Sequence, residues 1–181
     1  MKKHLTFILS FTFMMIFSQI ENIKNGEKIT LRIHYGFLNA GYATLTANQV
    51  NYRNAPHYRV TGVGKSTGAT RAFFKVDDVY ESYINIATGL PSHYVRNVSE
   101  GGYKRYFETD FNHDNQTLVL TNKLDKTSKN FKTVKGIQDM ISAFYYLRSM
   151  DASNFKVGSS LKINIWIDDD IYPFMLKVTG I

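Results

Sequence analysis

Alternation of apolar and polar side chains dominates the chain from residue 28 onwards. Between Lys28 and Tyr35 every second side chain is apolar, which is typical of an antiparallel strand with one buried and one solvated face. The same pattern recurs over residues 41–50, 57–66, 76–86, 92–99, 103–112, 117–124, 161–168 and 171–179. Short segments rich in Gly, Asn and Pro separate these strands. The sequence therefore predicts hairpins and an antiparallel meander.

One segment has a helical period instead. From Ile137 onwards apolar side chains fall three or four residues apart, and Gly136 occupies a suitable N-cap position. We therefore predict one amphipathic helix over residues 137–149, with Phe144 on its buried face. A second, shorter helical turn is predicted at Gly68–Phe74.

A sheet of this many strands has to curl, split or close. The predicted fold is mainly β: a strongly curved antiparallel sheet or an incomplete barrel, with the helix at about 137–149 packed on it. The alternative is a two-layer β-sandwich with a helix at one end. The alternation stops at Ile181 without a cap or a polar tail. We expect residues 19–181 to form a single β-rich domain that is incomplete at its C-terminus.

The first eighteen residues have a different composition. Lys2 and Lys3 precede an apolar run at Leu5–Phe17, and polar sequence follows from Gln19. A positive start before a short apolar run is typical of a secretory signal peptide, and the run is shorter than the about 20 residues of a membrane span. We expect residues 1–18 to be removed and the protein to be exported to the periplasm or cell envelope, with no transmembrane span left. An uncleaved N-terminal anchor is the alternative.

Composition and charge exclude several kinds of chemistry. The chain contains no cysteine, which excludes disulfides, thiolate metal sites and the anchoring of bacterial lipoproteins. Its formal net charge is +7 over 181 residues, and removal of the two lysines of the leader lowers that to +5. Such a mild positive charge does not indicate dedicated nucleic-acid binding.

A basic stretch is the main candidate for ligand binding. Lysines recur there at about every third position, against one acid, Asp125. The lysines are Lys123, Lys126, Lys129, Lys132 and Lys135. We call them the lysine ribbon, and clustered positive charge of this kind attracts anionic lipid or polysaccharide. The alternative is a solvated edge strand that lysines protect against aggregation.

Other motifs fit common structural roles. Gly64-Lys65-Ser66-Thr67 is similar to the end of a phosphate-binding loop, but Arg59 stands where that loop needs its first glycine. We therefore expect a strand that ends in a glycine-rich turn, with Gly62 and Gly64 marking a bulge or a close approach by another element. The histidines have no metal-binding spacing, and we expect His34 and His57 to be exposed on the polar sides of their strands.

Acids and tyrosines offer further candidates. Asp168-Asp169-Asp170 lacks the pattern of a calcium loop and is expected to form a polar hairpin turn. A carboxylate pair drawn from Asp78, Glu81 or Glu100 could act on glycans, although exposed acids on strands are common. Tyrosines that could line a sugar or lipid site, or simply pack on a half-buried sheet face, are Tyr80, Tyr94, Tyr103, Tyr106 and Tyr145.

Several of these segments resemble, in the same order, the exported bacterial family catalogued as domain of unknown function 3108. The matching motifs are Gly26-Glu27-Lys28 with Ile33 to Gly41, Phe73 to Asp78 with Tyr80 to Tyr83, Glu100 to Tyr103, Asp139 with Ser142 to Tyr146, and Asp169 to Pro173. The resemblance extends from about residue 26 to the end of the chain. It implies an exported envelope protein without an assigned activity, and it supplies no catalytic residues.

Three classes of function follow. A non-catalytic module that binds a lipid, a glycan or an envelope protein is favoured, because the sequence contains no recognisable catalytic constellation. A structural or assembly role is the second class, and a carboxylate-dependent hydrolase is the third. No cofactor, metal or nucleic acid is expected. We also expect an apolar groove on the concave side of the sheet, only partly filled by the helix and with the lysine ribbon near its mouth.

Overall fold

The computed structural model describes residues 23–36, 38–151, 153 and 155–180. The predicted signal peptide at residues 1–18 lies outside these described residues. Most of the described chain is β-strand, with two α-helices. Neither of these helices is long and apolar enough to cross a membrane. The mainly β fold class predicted from the alternation is confirmed.

Eight strands form one antiparallel sheet in which each strand pairs with the next along the chain. They are β1 (Glu27–Tyr35), β2 (Leu38–Tyr52), β3 (Ala55–Ser66), β4 (Asp77–Asn85), β5 (Pro91–Glu100), β6 (Tyr103–Asn112), β7 (Thr117–Asn122) and β8 (Thr127–Lys132). Helix α1 (Gly68–Phe73) connects β3 to β4, where the second helical turn is predicted. The edge strands β1 and β8 do not pair with each other in the described sheet, which is therefore open.

The sheet is strongly curled at the end where β2 turns into β3. The ring of Tyr52, at the end of β2, has its centroid 6.0 Å from that of His93 on β5. In the turn that follows, Arg53 donates a hydrogen bond to Asp110 on β6 at 2.6 Å. Neighbouring strands lie about 4.8 Å apart, so β2 and β5 would be about 14 Å apart in a flat sheet. These contacts therefore require the sheet to bend toward this face, which we call the outer face.

A second layer covers the opposite face of the sheet, which we call the inner face. It consists of helix α2 (Met140–Ser149) and a hairpin of β9 (Ser160–Ile167) and β10 (Asp170–Lys177). The acidic run forms the turn of this hairpin, as predicted, and Asp168 has a left-handed φ of 54° there. Since all eight strands of the meander belong to one sheet, the open sheet with a packed helix describes the fold better than the sandwich alternative.

Helix α2 begins three residues later than predicted, at Met140, and the predicted N-cap Gly136 is wrong. The N-cap is Asp139, whose Oδ1 accepts hydrogen bonds from the backbone N–H groups of Ile141 and Ser142, each at 2.8 Å. In return, the Ser142 Oγ accepts from the backbone N–H of Asp139 at 2.8 Å. This capping box satisfies donors that would otherwise be unpaired at the start of the helix.

Backbone hydrogen bonds to β9 explain why the helix does not begin earlier. The N–H of Gln138 donates to the carbonyl of Asn164 at 3.0 Å, and the carbonyl of Gln138 accepts from the N–H of Trp166 at 2.8 Å. A helical backbone at Ile137 and Gln138 would break this pairing. The chain therefore runs along the hairpin first and turns into the helix only at Asp139.

Helix α2 packs on the sheet through Ile141 and Tyr145, which lie one helical turn apart. Both are buried in a core with Ala47 and Ile84 of the sheet. The prediction that Phe144 is buried is wrong, because this side chain is 36% exposed. Adjacent helical residues point about 100° apart, so burial of Tyr145 turns Phe144 toward the edge of the contact.

The hairpin covers a second core on the other half of the inner face. Trp166 is its central residue and is buried against Ile137 from the segment that precedes α2. The sheet contributes large side chains to this core, namely Tyr94, Phe111, Leu118 and Leu120. Bulky residues of both the hairpin and the sheet therefore fill this half of the interface between the two layers.

Candidate functional site

An open cavity of about 490 Å³ lies between the inner face of β1–β4 and the first turns of α2. We call it the groove. Its lining is mainly apolar, with Ile33, Ala40, Ala43, Leu45, Val63, Phe74, Val76, Tyr80, Met140, Ile141 and Phe144 as its apolar residues. The sequence predicts an apolar groove that the helix fills only in part, but it places this groove on the concave side, whereas the curled end of the sheet bends toward the opposite, outer face.

Small residues on β2 and β3 create the space. Ala43 on β2 is the register partner of Gly64 on β3, and both line the groove. A Cβ atom added to Gly64 would have Asp78 Cβ, at 3.7 Å, as its nearest neighbour. A Cβ on Gly62 would instead approach Leu45 Cδ2 to 3.0 Å and Ile141 Cδ1 to 3.4 Å. Gly62 therefore allows α2 to approach the sheet closely, whereas Gly64 leaves room beside it.

Large apolar side chains surround the mouth of the groove and are partly exposed. Met140 and Phe144 contribute from α2, Ile33 from β1, and Phe74 from the segment after α1. The exposure of Phe144 thus has a structural reason, because this ring borders the groove instead of filling the core. Apolar residues clustered around an opening are typical of a binding surface.

A few polar groups interrupt the apolar lining near the end of β3. The Ser66 Oγ accepts a hydrogen bond from the backbone N–H of Val76 at 2.8 Å. The Thr70 hydroxyl is buried and has no hydrogen-bond partner among the described residues. A buried hydroxyl without a partner is costly, so a ligand group that bonds to Thr70 would recover that free energy. Lys65 contributes only its backbone to the lining, because its side chain is exposed on the outer face beside its register partners Tyr42 and Asp77.

Two of the three candidate acids lie together beside the groove. Asp78 lines it, and its Oδ1 accepts from the backbone N–H of Ser99 at 3.0 Å. Desolvation and the neighbouring Asp78 carboxylate together raise the pKa of Glu100. The third acid, Glu81, forms an ion pair with Arg59 at 2.6 Å and is not part of this pair.

The phosphate-loop alternative is excluded by the local backbone. Gly64, Lys65 and Ser66 lie within β3 and pair with β2, so they do not form a loop around a phosphate. The helix that follows, α1, has only six residues. This part of β3 forms the floor of the groove. Its glycines predict a close approach by another element, which agrees with the position of α2 above Gly62.

The lysine ribbon lies on and around β8. All five of its lysines are exposed. Lys129 and Lys132 are on the strand itself, and Lys126 is in the turn that precedes it, with a φ of 55°. Lys123 forms an ion pair with Glu108 at 3.2 Å. The ribbon remains a candidate site for anionic ligands.

The expected position of the ribbon near the groove mouth is wrong. The groove is lined by β1–β4, whereas β8 is the opposite edge of the sheet. Four strand spacings of about 4.8 Å separate β4 from β8. The ribbon instead adjoins a smaller polar cleft of about 290 Å³, to which Lys129, Arg105, Asp125, Asp168 and Asp169 contribute charges of both signs.

The histidines are placed only partly as expected. His34 is exposed, as predicted, with Nδ1 3.1 Å from the carbonyl of Gly36. The prediction that His57 is exposed is wrong: it is 2% exposed, because the curled sheet brings Tyr52 edge-on to its ring. Within the described residues, no three His, Asp or Glu side chains are arranged to hold a metal ion.

Tyrosines occupy different environments. Tyr80 lines the groove and is partly buried. Tyr94 and Tyr145 are core residues, one on β5 under the hairpin and one on the buried face of α2. Tyr103 is exposed on β6 and contacts the guanidinium of Arg105. Of these, Tyr80 has the position expected of a ligand-contacting ring.

Comparison with known proteins identifies the family. A family model described as "Protein of unknown function (DUF3108)" matches residues 30–181, and the chain belongs to this family. The family membership that the sequence motifs indicate is thereby confirmed. No curated protein and no solved structure matches the chain.

Proposed function

We propose that this member of the DUF3108 family is a binding module whose groove holds the hydrocarbon tail of an amphiphile without reacting with it. The observation that carries the proposal is the open, mainly apolar cavity of about 490 Å³ between α2 and β1–β4. Pockets for small molecules are concave, mainly apolar and about 300–1,000 Å³ in volume, with a few polar groups that fix the ligand.

The composition of the groove supports an amphiphile over a wholly apolar ligand. Hydrocarbon can be buried against Ala43, Leu45 and Met140, while the buried hydroxyl of Thr70 provides a polar contact at one end. An acyl chain gains about 0.8 kcal/mol for each methylene that leaves water. A polar headgroup would then bond to the hydroxyl.

The expected cellular location agrees with such a ligand. A protein exported through the predicted signal peptide at residues 1–18 would meet the amphiphiles of the cell envelope. The lysine ribbon would hold the protein close to an anionic lipid or polysaccharide surface, because its positive charges are clustered on one exposed edge. Ribbon and groove would then have separate roles in one binding process.

The first test is to fill the groove. Gly64→Leu places a side chain in the cavity, and we measure the affinity for a fluorescent fatty-acid probe. Displacing about two methylenes of the tail costs ~1.6 kcal/mol, so binding should weaken about tenfold or more. Gly102→Leu is the matched control, since a Cβ there meets nothing within 4 Å. Equal affinities for the probe in all three proteins would contradict the proposal, provided that their melting temperatures agree.

The second test separates the groove from the ribbon. Thr70→Val should weaken a polar-headed probe more than a hydrocarbon of the same tail length, because the buried Thr70 hydroxyl lines the groove. Neutralising Lys126, Lys129 and Lys132 together should weaken attachment to anionic vesicles and leave probe affinity unchanged. A groove affinity that depends on the ribbon and not on Thr70 would contradict this division of roles.

An assembly role is the second candidate function, and one surface favours it. Strand β10 is an edge of its small sheet and exposes Tyr172, Phe174 and Met175. Exposed apolar residues on an unpaired edge are prone to pair with another chain. Light scattering of the native protein and of Phe174→Lys tests this role. A native oligomer that dissociates in the variant would support assembly, whereas two monomers would contradict it.

A further inference from the structure

A compact cluster on the outer face brings a serine and two histidines together through a β-bulge. In the ladder between β4 and β5, Tyr83 pairs with His93 but Ile84 pairs with Pro91, so Ser92 is an extra residue on β5. Bulges of this kind redirect side chains and occur frequently beside active sites. Here the bulge places the Ser92 Oγ 2.8 Å from Nε2 of His57 on β3.

The hydrogen bonds of His57 assign its tautomer. Nδ1 lies 2.9 Å from the backbone carbonyl of Ala55, which can only accept a hydrogen bond. In the neutral ring Nδ1 therefore carries the proton, and Nε2 has the lone pair that accepts from the Ser92 hydroxyl. A hydroxyl bonded to an imidazole, which is itself oriented by a third group, is the arrangement of an activated serine nucleophile.

The surroundings fix this pair and leave the serine accessible. His57 is buried, with the Tyr52 ring edge-on to it at 5.5 Å, whereas Ser92 is only half-buried. The β2–β3 turn keeps Tyr52 in place, because Arg53 lies 5.0 Å from the centroid of the Tyr52 ring and is hydrogen-bonded to Asp110. The base is thus shielded from water while the nucleophile reaches the surface.

A tight hairpin turn brings further side chains to this end of the sheet. Arg53 and Asn54 form the two-residue turn between β2 and β3, with φ values of 51° and 61°. Left-handed φ at both positions is the geometry of a type I′ turn, which two-residue hairpins favour. In the same cluster, His93 Nδ1 lies 2.8 Å from Asp110 Oδ1. Two histidines, a serine and an ion pair therefore meet beside one tight turn.

We propose that Ser92 is a nucleophile toward activated carboxylic esters, with His57 as its general base. The Ser92 Oγ bonds to the carbonyl carbon while its proton passes to Nε2 of His57. The proton then moves to the leaving alcohol as the ester C–O bond breaks, which leaves an acyl group on Ser92. Water hydrolyses this acyl-serine by the same proton route. Tyr52 and Tyr83 offer aromatic surface beside the cluster, so aryl esters are the favoured substrates.

The test uses the full chain and a fluorophosphonate probe. The probe forms an O–P bond to an activated serine and releases fluoride, and peptide mass spectrometry then locates the adduct. We expect labelling of Ser92, loss of that label in Ser92→Ala, and unchanged labelling in Ser99→Ala. Ser99 is the matched control because it is a half-buried serine on the same strand. Absence of a label on Ser92 in the native protein would overturn the proposal.

A second variant tests the base. His57→Gln keeps a hydrogen-bonding side chain beside Ser92 but removes the base, so labelling should slow by about a hundredfold. Labelling at the native rate in a folded His57→Gln variant would overturn the role of His57. Because His57 is buried and the variant can fail to fold, p-nitrophenyl acetate is also applied to the native chain. Acetyl on Ser92 supports the proposal, whereas acetyl on lysines alone contradicts it.

Discussion

Helix α2 and the β9–β10 hairpin cover neighbouring halves of the same sheet face, but they cover them to different extents. Under the hairpin, Trp166 packs against bulky residues such as Tyr94 and Leu118, and the contact is closed. Under the helix, the sheet offers Ala43 and Gly64 instead, and a cavity remains. The size of the floor residues therefore decides which half is core and which half can hold a ligand.

The largest expected difference between the halves is in packing. Trp166→Ala should lower the free energy of unfolding by about 3–5 kcal/mol, because it empties a closed core. Phe144→Ala should cost only about 1 kcal/mol, because the ring is partly exposed at the groove mouth. Urea denaturation of the two variants measures both values. Similar losses in the two variants would mean that the helix half is packed as tightly as the hairpin half.

Asp139 lies between the helix half and the hairpin half, and its titration gives the next largest expected effect on stability. Its side chain caps α2, and its Oδ2 accepts from the Ser82 hydroxyl of β4 at 2.7 Å. Burial raises the pKa of Asp139 to about 6, although the hydrogen bonds from Ser82 and from the capped helix oppose the shift. The folded state thus holds the proton more tightly than the unfolded state, whose pKa is near 3.8.

This shift predicts the sign of a pH dependence. The contribution of Asp139 to stability is fully present below about pH 4, and about 2–3 kcal/mol of it is lost as the pH rises through 6. Asp139→Asn keeps a capping oxygen and removes the titration. The native protein should therefore lose about 2–3 kcal/mol relative to this variant between pH 4 and pH 7, measured by urea denaturation. A constant difference would show that Asp139 has a normal pKa.

The smallest expected effect is the difference in stability between variants of two glycines on the floor of the groove. Gly62→Ala should cost about 1–2 kcal/mol, because the new Cβ meets Leu45 and Ile141 at 3.0 and 3.4 Å. Gly64→Ala should change the free energy of unfolding by no more than about 0.5 kcal/mol, because its nearest neighbour is 3.7 Å away. Thermal unfolding of the pair compares them. A larger loss for Gly64→Ala would contradict the presence of space above this residue.

The meander was predictable because alternation is a local property of each strand. The predicted strands 161–168 and 171–179, for example, match the bounds of β9 and β10 to within two residues. The helix start was not predictable, since Gly136 and Asp139 are both suitable caps and only the pairing of Gln138 with β9 decides between them. Local patterns define elements, but the contacts between elements define where they begin.

The candidate sites depend on contacts between residues far apart in the sequence, so they could be predicted less well than the strands. The sequence shows the small residues Gly62 and Gly64. Only the strand register, however, shows that Ala43 lies beside Gly64. Alternation assigns His57 to the polar face, yet the curl of the sheet buries it. The bulge at Ser92 likewise breaks the period that the sequence analysis relies on.

Methyl NMR with a spin-labelled fatty acid tests the central claim most directly. The nitroxide sits on the tail, so it broadens the δ1 methyl signals of isoleucines near the bound chain, and the reduced probe is the control. We predict strong broadening of Ile33 and Ile141 in the groove and weaker broadening of Ile137 and Ile163 in the hairpin half. Equal broadening of all four signals, or none at saturating probe, would contradict an open groove that binds a hydrocarbon tail.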